Sequence, residues 1–411
     1  MEQKRCVHLI GIGTPDTVTL KTLQLLQQTD CLIGASRMID LAMEVHACDC
    51  FIYREYQAEN IISFLEAHPE YKKVVIVFSG DTGFYSGAKH LWELLDKQNE
   101  QYEVIVEAGV SSVIALAAKL HVSWEDAAFL SLHGKETDFI RTIDTHKKTF
   151  LLLSGRKSGE RILKELEEFD MNQVKIHLGT YLGYKKERIM SGYFHKFTAE
   201  DFEGLCVAMI ENPCPSQKIS SHISDECFIR GRVPMTKAEV RSVSIAKLQL
   251  TRDAVVYDIG AGTGSVSIEA ALSGERVRVY AIEKKEAAIE LLKQNRRKFK
   301  TSNVQIIEGE APQILEELEA PTHVFIGGSS GYLEEILKLV LNKNPQVRIV
   351  INAIALETLG EIVKVLKNQL LKDVEVVQLM TARSSEIGQY HLMTGMNPVW
   401  IISAGGDEYA K

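Results

Sequence analysis

The sequence predicts an α/β protein built in two parts, and three observations carry that expectation. Short apolar runs that end in glycine recur along the chain, each followed by an amphipathic stretch. The chain has 411 residues, more than one ordinary domain holds. The alternation breaks once, at ENPCPSQKISSHISDECFIRGRVP (211–234), where three prolines and many polar residues show no sustained period, and then restarts. The expected organisation is a domain over 1–210, a linker over 211–234 and a second domain over 235–411.

In the first part RCVHLIGIG reads as a buried strand and LKTLQLLQQ as the helix after it. KVVIVFSG precedes AKHLWELLDKQ, YEVIVEAG precedes SSVIALAAKL, and KTFLLLSG precedes GERILKELEEF. The second part opens on the helix TKAEVRSVSIAKLQL. Thr236 stands at its N-cap and Glu239 three residues on, the spacing of a capping box. Strand and helix then alternate through AVVYDIG, SVSIEAALS, RVRVYAIE, KEAAIELLKQNRRKF, NVQIIEG, THVFIG, GYLEEILKLVLN, VRIVINA and LETLGEIVKVLKN. DVEVVQLMTA and NPVWIISAG follow as two strands with no helix between them, so a β-hairpin is expected to close a parallel sheet.

Hydrophobic residues make up 45% and charged residues 25%, the balance of a globular protein that needs no lipid. No apolar run reaches the roughly 18 residues of a membrane span, and the opening MEQKRCVHLI enters a strand directly, with no secretory leader in view. A net charge of −8 argues against nucleic-acid or membrane binding by the whole surface. The seven cysteines are scattered, and CDC at 48–50 is their only close pair, so reduced structural thiols and a cytoplasmic setting are expected.

The most informative stretch is YDIGAGTGSVSIEAA (257–271). Its spacing is G-x-G-x-G. The dinucleotide fingerprint needs its third glycine one place later, where Ser265 stands, and the phosphate loop needs a lysine after Gly264. A nicotinamide oxidoreductase is therefore disfavoured. Asp258 precedes the first glycine, and Glu283 ends the next strand nineteen residues beyond Gly264. An acid there accepts both ribose hydroxyls of an adenosine, and Asp258 favours a cationic group over a pyrophosphate. S-adenosylmethionine meets both requirements.

With DIGAGTG, Glu283 and the terminal strands, residues 225–411 resemble the Rossmann-like methyltransferases. VPMTKAEVR (233–241) and FIGGSSG (325–331) narrow the resemblance to the decarboxylating C15-methyltransferases of corrin biosynthesis. The first part, roughly 1–210, resembles the tetrapyrrole methylases. It does so through GIGTPDTVTLKTL (11–23), FSGDTGFYSGAKHL (78–91), EAGVSSVIALAAKL (107–120) and SLHGK (131–135). It departs from that family's G-x-G-P-G-D by placing Thr14 and Pro15 where Pro-Gly is usual. The order of the halves is similar to the fused C5,15-methyltransferases of the same pathway.

The resemblance implies a class III methyltransferase domain of two α/β lobes, then a class I domain with a seven-stranded sheet. It implies one S-adenosylmethionine per domain, no protein-bound metal, and a corrin precursor, metal-free or cobalt-bearing, methylated at C5 and C15 with decarboxylation of its C12 acetate. A homo-oligomer is the expected assembly. For the cofactor it implies Gly11, Gly13, Asp81, Ser111 and Ser112 in the first half, and Thr236, Gly260, Ala261, Gly262, Thr263, Gly264, Glu283 and Ala311 in the second. A methyltransferase acting on RNA or on another small molecule, and a non-enzymatic sensor of the cofactor, are the rival readings.

In-line methyl transfer to an electron-rich carbon needs positioning more than acid–base groups, so the catalytic candidates are few. Asp81 reads as a cofactor or substrate contact, or as a helix N-cap. His133 reads as a proton shuttle or as a plain loop histidine. Asn352 ends a strand beside the expected cofactor cleft, while Glu357 reads as an acid in a helix's first turn. A substrate rich in carboxylates calls for arginine forks. Arg230, Arg232, Lys237 and Arg241 fall within twelve residues, and read as that site or as a solvated charged segment. Arg383 and Arg156 are weaker additions.

Overall fold

The computed structural model describes residues 4–133, 138–216 and 222–406, apart from the side chain of Ile387. Gly134 and Lys135 of the SLHGK motif, and 217–221 of the expected linker, lie outside the described residues. The chain divides into two compact units. One spans the residues up to Pro215. The other runs from Ser216 onward and also takes in Asp138–Thr145 and Glu168–Asp170. No helix among the described residues is long and apolar enough to cross a membrane.

The first lobe of the N-terminal unit alternates β1 (Arg5–Gly11), α1 (Leu20–Gln27), β2 (Cys31–Gly34), α2 (Ser36–Val45), β3 (Phe51–Arg54), α3 (Ala58–Ala67), β4 (Lys73–Phe78), α4 (Ala88–Asp96) and β5 (Tyr102–Glu107). Its sheet runs β3-β2-β4-β1-β5, with every pair parallel. Parallel strands are buried on both faces, and β1 shows it. Val7 and Leu9 pack with Ile61, Leu65, Leu91 and Leu95 of α3 and α4. Ile10 packs with Leu26, Met38, Ile39 and Ala42 of α1 and α2.

The second lobe contains α5 (Ser112–Lys119), β6 (Ala128–Ser131), β7 (Lys148–Leu153), α7 (Arg156–Glu168), β8 (Lys175–Thr180), β9 (Arg188–Tyr193) and β10 (Cys206–Glu211), while α6 (Ile140–Thr145), between β6 and β7 in the chain, belongs to the other unit. Its strands are ordered β6-β7-β10-β8-β9. Only β6 and β7 are parallel in that sheet; the remaining pairs are antiparallel.

The C-terminal unit comprises α8 (Ala238–Leu248), β11 (Val255–Ile259), α9 (Ser265–Leu272), β12 (Arg278–Glu283), α10 (Glu286–Lys298), β13 (Val304–Glu308), β14 (His323–Ile326), α11 (Leu333–Lys343), β15 (Arg348–Ala353), α12 (Leu356–Lys367), β16 (Glu375–Leu379), β17 (Ala382–Ile387), β18 (Tyr390–Gly395) and β19 (Val399–Ala404). Seven strands form one sheet in the order β13-β12-β11-β14-β15-β19-β16, with β19 antiparallel to both neighbours. The two closing strands thus pair as expected, but the segment between them is not a simple turn. It forms a separate two-stranded hairpin, β17–β18. The described side chains of β18 are exposed, so no in–out alternation of apolar residues announces it.

Two local expectations are corrected. The stretch 211–234 is not all connector. Asp225 and Phe228 are buried, and the Ile229 amide donates to Asn295 Oδ1 at 2.8 Å. These contacts are made singly, so they leave no period in the sequence. The capping box does not form either. Helix α8 starts one residue later, with Lys237 as N-cap and no side-chain cap. The Glu239 carboxylate is drawn instead to the Arg383 guanidinium, 2.7 Å away.

At the ends of β1, β4 and β5 three backbones meet. A Cβ on Gly109 would lie 2.2 Å from the Gly80 carbonyl oxygen and 2.3 Å from that of Gly11. Gly109→Ala must push these strand ends apart, and a loss of about 1–3 kcal/mol in stability is expected. Gly360 of α12 has no atom within 4 Å of its would-be Cβ. Gly360→Ala should therefore raise stability by about 0.4–1 kcal/mol. Urea midpoints of the two variants, moving in opposite directions, check the pair.

Candidate functional site

Each unit holds a cavity at the C-terminal ends of its parallel strands, where open α/β sheets bind ligands. The cavity of the C-terminal unit has a volume of about 760 Å³. Its floor is the loop after β11. Gly260, Gly262 and Gly264 all have positive φ, at +75°, +58° and +78°, a region that only glycine enters freely. The amides of Gly260 and Ala261 donate to the Ile282 carbonyl, which ties the loop to β12. Glu283, at the end of that strand, is buried. Its Oε2 accepts from the Gly262 amide at 2.9 Å, and its Oε1 accepts from the amides of Lys284 and Lys285.

Gly260, Ala261, Gly262, Glu283, Ala311, Thr236 and Asn352 line this cavity together, as do Gly327, Gly328 and Ser329 of the FIGGSSG stretch. Thr263 and Gly264 do not reach it. The Thr263 carbonyl accepts from Asn295 Nδ2, and a Cβ on Gly264 would lie 2.0 Å from Leu292 Cδ1. They let α10 pack closely behind the loop. Asp258 also lies beneath the loop and not on the cavity wall. It is buried, one oxygen accepts from Ser267 Oγ, and the other has no hydrogen-bond partner. Burial, reinforced by Glu283, pushes its carboxyl up to about 6. Asn352 exchanges hydrogen bonds with Ser244 of α8 at 2.9 and 3.2 Å. Glu357 is exposed in the first turn of α12.

The basic cluster separates. Lys237 lines the cavity. Arg230 and Arg232 are exposed, just before the lining segment that starts at Val233. Arg241 is fully buried and closed to any substrate. It pairs with Glu269 at 2.7 Å and Asp225 at 3.3 Å, donates to the carbonyls of Thr236 and Ile223, and lies over the Phe228 ring. Arg383 is taken by Asp225 and Glu239, and Arg156 by Glu160 and Glu200.

The cavity of the N-terminal unit has a volume of about 580 Å³ and is walled by both lobes. Gly13, Asp81, Ser111, Ser112 and His133 line it; Gly11 does not, and serves the close packing of strand ends. Asp81 is not a helix N-cap. Its Oδ1 accepts from the Gly83 amide at 2.8 Å and its Oδ2 from the Gly109 amide at 3.1 Å, so it joins the loops after β4 and β5. Ser111 caps α5 through the Ile114 amide. His133 is exposed as a residue, yet the protein around its imidazole desolvates it enough to lower its pKa. The unusual Thr14 holds its own turn, donating to Asp16 Oδ1 at 2.6 Å. Arg37, which no sequence motif marks, also lines this cavity.

Residues 227–404 match the model of the precorrin methyltransferase domain, and residues 7–196 that of the tetrapyrrole (corrin/porphyrin) methylases. A protein of Pyrobaculum calidifontis named "Probable cobalt-precorrin-6B C(15)-methyltransferase (decarboxylating)" is 45% identical over 185 residues, 44% of this chain and 94% of that protein. The cobalt-precorrin-6B C(15)-methyltransferase (decarboxylating) of Salmonella typhimurium is 39% identical over 189 residues, 45% of this chain and 97% of that protein. The solved structure of a precorrin-6y C5,15-methyltransferase from Geobacter metallireducens aligns at 38% identity over 45% of this chain and 96% of that one, with a TM-score of 0.43.

Two consequences of the buried charges can be measured. Arg241→Ala takes the cation from buried Glu269 and leaves Asp225 with Arg383 alone, and should cost about 3–5 kcal/mol of stability. Arg230→Ala and Arg232→Ala should stay within about 0.5 kcal/mol. Thermal unfolding of the three variants checks the contrast. Asp258 sets a pH dependence. Its carboxyl moves from 3.8 to about 6, so between these values the native chain holds a proton that the unfolded chain has released. The stability this gives is present below about pH 4 and lost as pH rises through about 6, about 3 kcal/mol in all. Asp258→Asn should flatten that slope, read from urea unfolding across the interval.

Proposed function

This chain belongs to the precorrin methyltransferase family, and from that premise we propose that it methylates a precorrin-6B-type macrocycle, or its cobalt form, at both C5 and C15. S-adenosylmethionine is the methyl donor, bound once in each unit. The N-terminal unit acts at C5. The C-terminal unit acts at C15 and releases the C12 acetate carboxyl as CO2. The observation that carries this reading is the pair of separate cavities, one per unit, each built at glycine-bearing strand ends.

S-adenosylmethionine supplies an electrophilic methyl group. In the C-terminal cavity the chain's part is to place that methyl and to hold the macrocycle against it. Glu283 is positioned to receive ribose hydroxyls, because it is buried at the strand end with its carboxylate already fixed by backbone amides. The glycine loop admits the rest of the donor at backbone distance. Thr236 and Ala311 complete the wall. Lys237, with Arg230 and Arg232 outside it, receives side-chain carboxylates of the macrocycle. Asn352, its amide held by Ser244, contributes to the cavity wall beside the macrocycle.

Methyl transfer is an in-line displacement. The chain lowers its barrier chiefly by proximity, which supplies roughly 7–11 kcal/mol in well-aligned cases. When the acetate arm loses CO2, its electron pair passes into the conjugated macrocycle and is taken up there with a proton. The chain orients the departing carboxylate and keeps water away. In the N-terminal cavity Asp81 fixes two loops about the donor, Gly13, Ser111 and Ser112 line its bed, and His133 faces the same space.

Calorimetric titration of the whole chain with S-adenosylhomocysteine should give two equivalents; a single equivalent would defeat the two-site reading. Glu283→Ala should weaken one of the two by about 10- to 100-fold, the effect of losing charge-assisted hydrogen bonds of about 1.5–3 kcal/mol. At limiting donor this variant should accumulate a product with one added methyl and no CO2 release, on metal-free and cobalt-bearing macrocycle alike. Normal CO2 release would remove Glu283 from the decarboxylating site.

A further inference from the structure

We propose that Arg37 is the carboxylate-recognising residue of the N-terminal cavity, its ligand a side-chain carboxylate of the macrocycle. This rests on the reading of that cavity as a macrocycle site. Arg37 stands in the first turn of α2, at the C-terminal end of β2. Its guanidinium donates from Nη1 to Tyr184 Oη and from Nη2 to Ser79 Oγ, each at 3.2 Å. Both partners are neutral hydroxyls. Among the described residues lining the cavity, Arg37 alone carries a permanent positive charge.

The neighbouring acids are spoken for. Asp81, the one carboxylate among the described lining residues, has both oxygens on backbone amides. Asp40, on the same helix as Arg37, is paired with Arg54 at 2.7 Å. The arginines Arg54, Arg156, Arg188 and Arg241 of this chain all have carboxylate partners within 3.3 Å. Arg37 does not follow them. A guanidinium has five donors in a planar fork that matches a carboxylate. Two of Arg37's are placed on weak, rotatable hydroxyls that an anion can displace. The residue is exposed, so an arriving side chain reaches it. Tyr184 comes from the second lobe and Ser79 from the first, and both line the cavity with Arg37, so the fork sits on the cavity wall where the two lobes meet.

The test uses the full chain and three variants. Arg37→Met should raise KM for the macrocycle in the C5 methylation by about 10- to 100-fold, with kcat, the melting temperature and both equivalents of S-adenosylhomocysteine unchanged. Arg37→Lys should recover part of the loss, since an ammonium keeps the charge without the fork. Tyr184→Phe, which removes only the neutral partner, should change KM less than about threefold. An unchanged KM in Arg37→Met overturns the proposal. So does a loss of S-adenosylhomocysteine affinity in that variant, which would assign Arg37 to the donor's own carboxylate. Equal damage from Tyr184→Phe would make the contact a strut between lobes, and the proposal falls. If the wild-type chain methylates no tetrapyrrole, the functional reading fails. Fluorescence titration with uroporphyrin then decides Arg37 alone: binding weakened in Arg37→Met supports it, and equal binding overturns it.

Discussion

Backbone approaches backbone at the strand ends so closely that a Cβ is excluded in the N-terminal unit and crowded in the C-terminal one, and both cavities depend on it. In the N-terminal unit the ends of β1, β4 and β5 meet through Gly11, Gly80 and Gly109. In the C-terminal unit the loops after β11 and β14 meet through Gly260 and Gly328, where a Cβ on Gly260 would fall 3.0 Å from the Gly328 amide nitrogen. A parallel sheet delivers all its strands to one edge, and helices then diverge from it. Only where the turns lack side chains can that edge become a floor on which a ligand rests against peptide groups. Glycine pays for this in conformational entropy, roughly 0.5–1 kcal/mol relative to alanine in regular structure, and the surrounding sheets are buried deeply enough to carry it.

Carboxylates then lock these floors in place. Glu283 binds the amide of Gly262 and two amides of its own strand end. Asp81 does the equivalent in the other unit, holding the amides of Gly83 and Gly109. The two units have different strand orders, yet each uses an acid to join two neighbouring strand-end loops. Such an acid is preorganised, because amide donors fix its orientation before any ligand arrives. Beneath the C-terminal loop, Asp258 shows the other use of a carboxylate. It is shut away from the cavity, and its desolvation favours the protonated form.

Cations are divided by the same logic. Arg241 sits at the centre of a buried cluster with Asp225, Glu269 and the Phe228 ring, which fastens the segment before α8 to the C-terminal unit. A buried arginine without acids would be too costly to hold, so these partners explain why the residue is absent from the cavity wall. Lys237 keeps its place on that wall four residues earlier. One helical turn therefore separates a structural cation from a cavity-facing one.

Much of this was legible in the sequence. Alternating strand and helix, the glycines of the β11 loop and Glu283 at its strand end all follow from patterns within about twenty residues, the range over which backbone conformation and strand–turn–helix units are specified. What stayed hidden was decided by partners far apart in the chain. Glu239 leaves its capping box for Arg383, 144 residues away. Arg241 leaves the substrate cluster for Glu269, 28 residues away. Arg37 gains its place in a cavity wall from Tyr184, 147 residues away. The hairpin β17–β18 escaped notice because the side chains of β18 are exposed and carry no in–out period. By itself the sequence determined where backbone turns and which strand ends carry glycine and acid, since those are local demands on φ, ψ and side-chain size. Only the tertiary structure decided which charges neutralise one another and which remain for a ligand, because a charge pairs with whatever the fold brings within about 4 Å, regardless of separation along the chain.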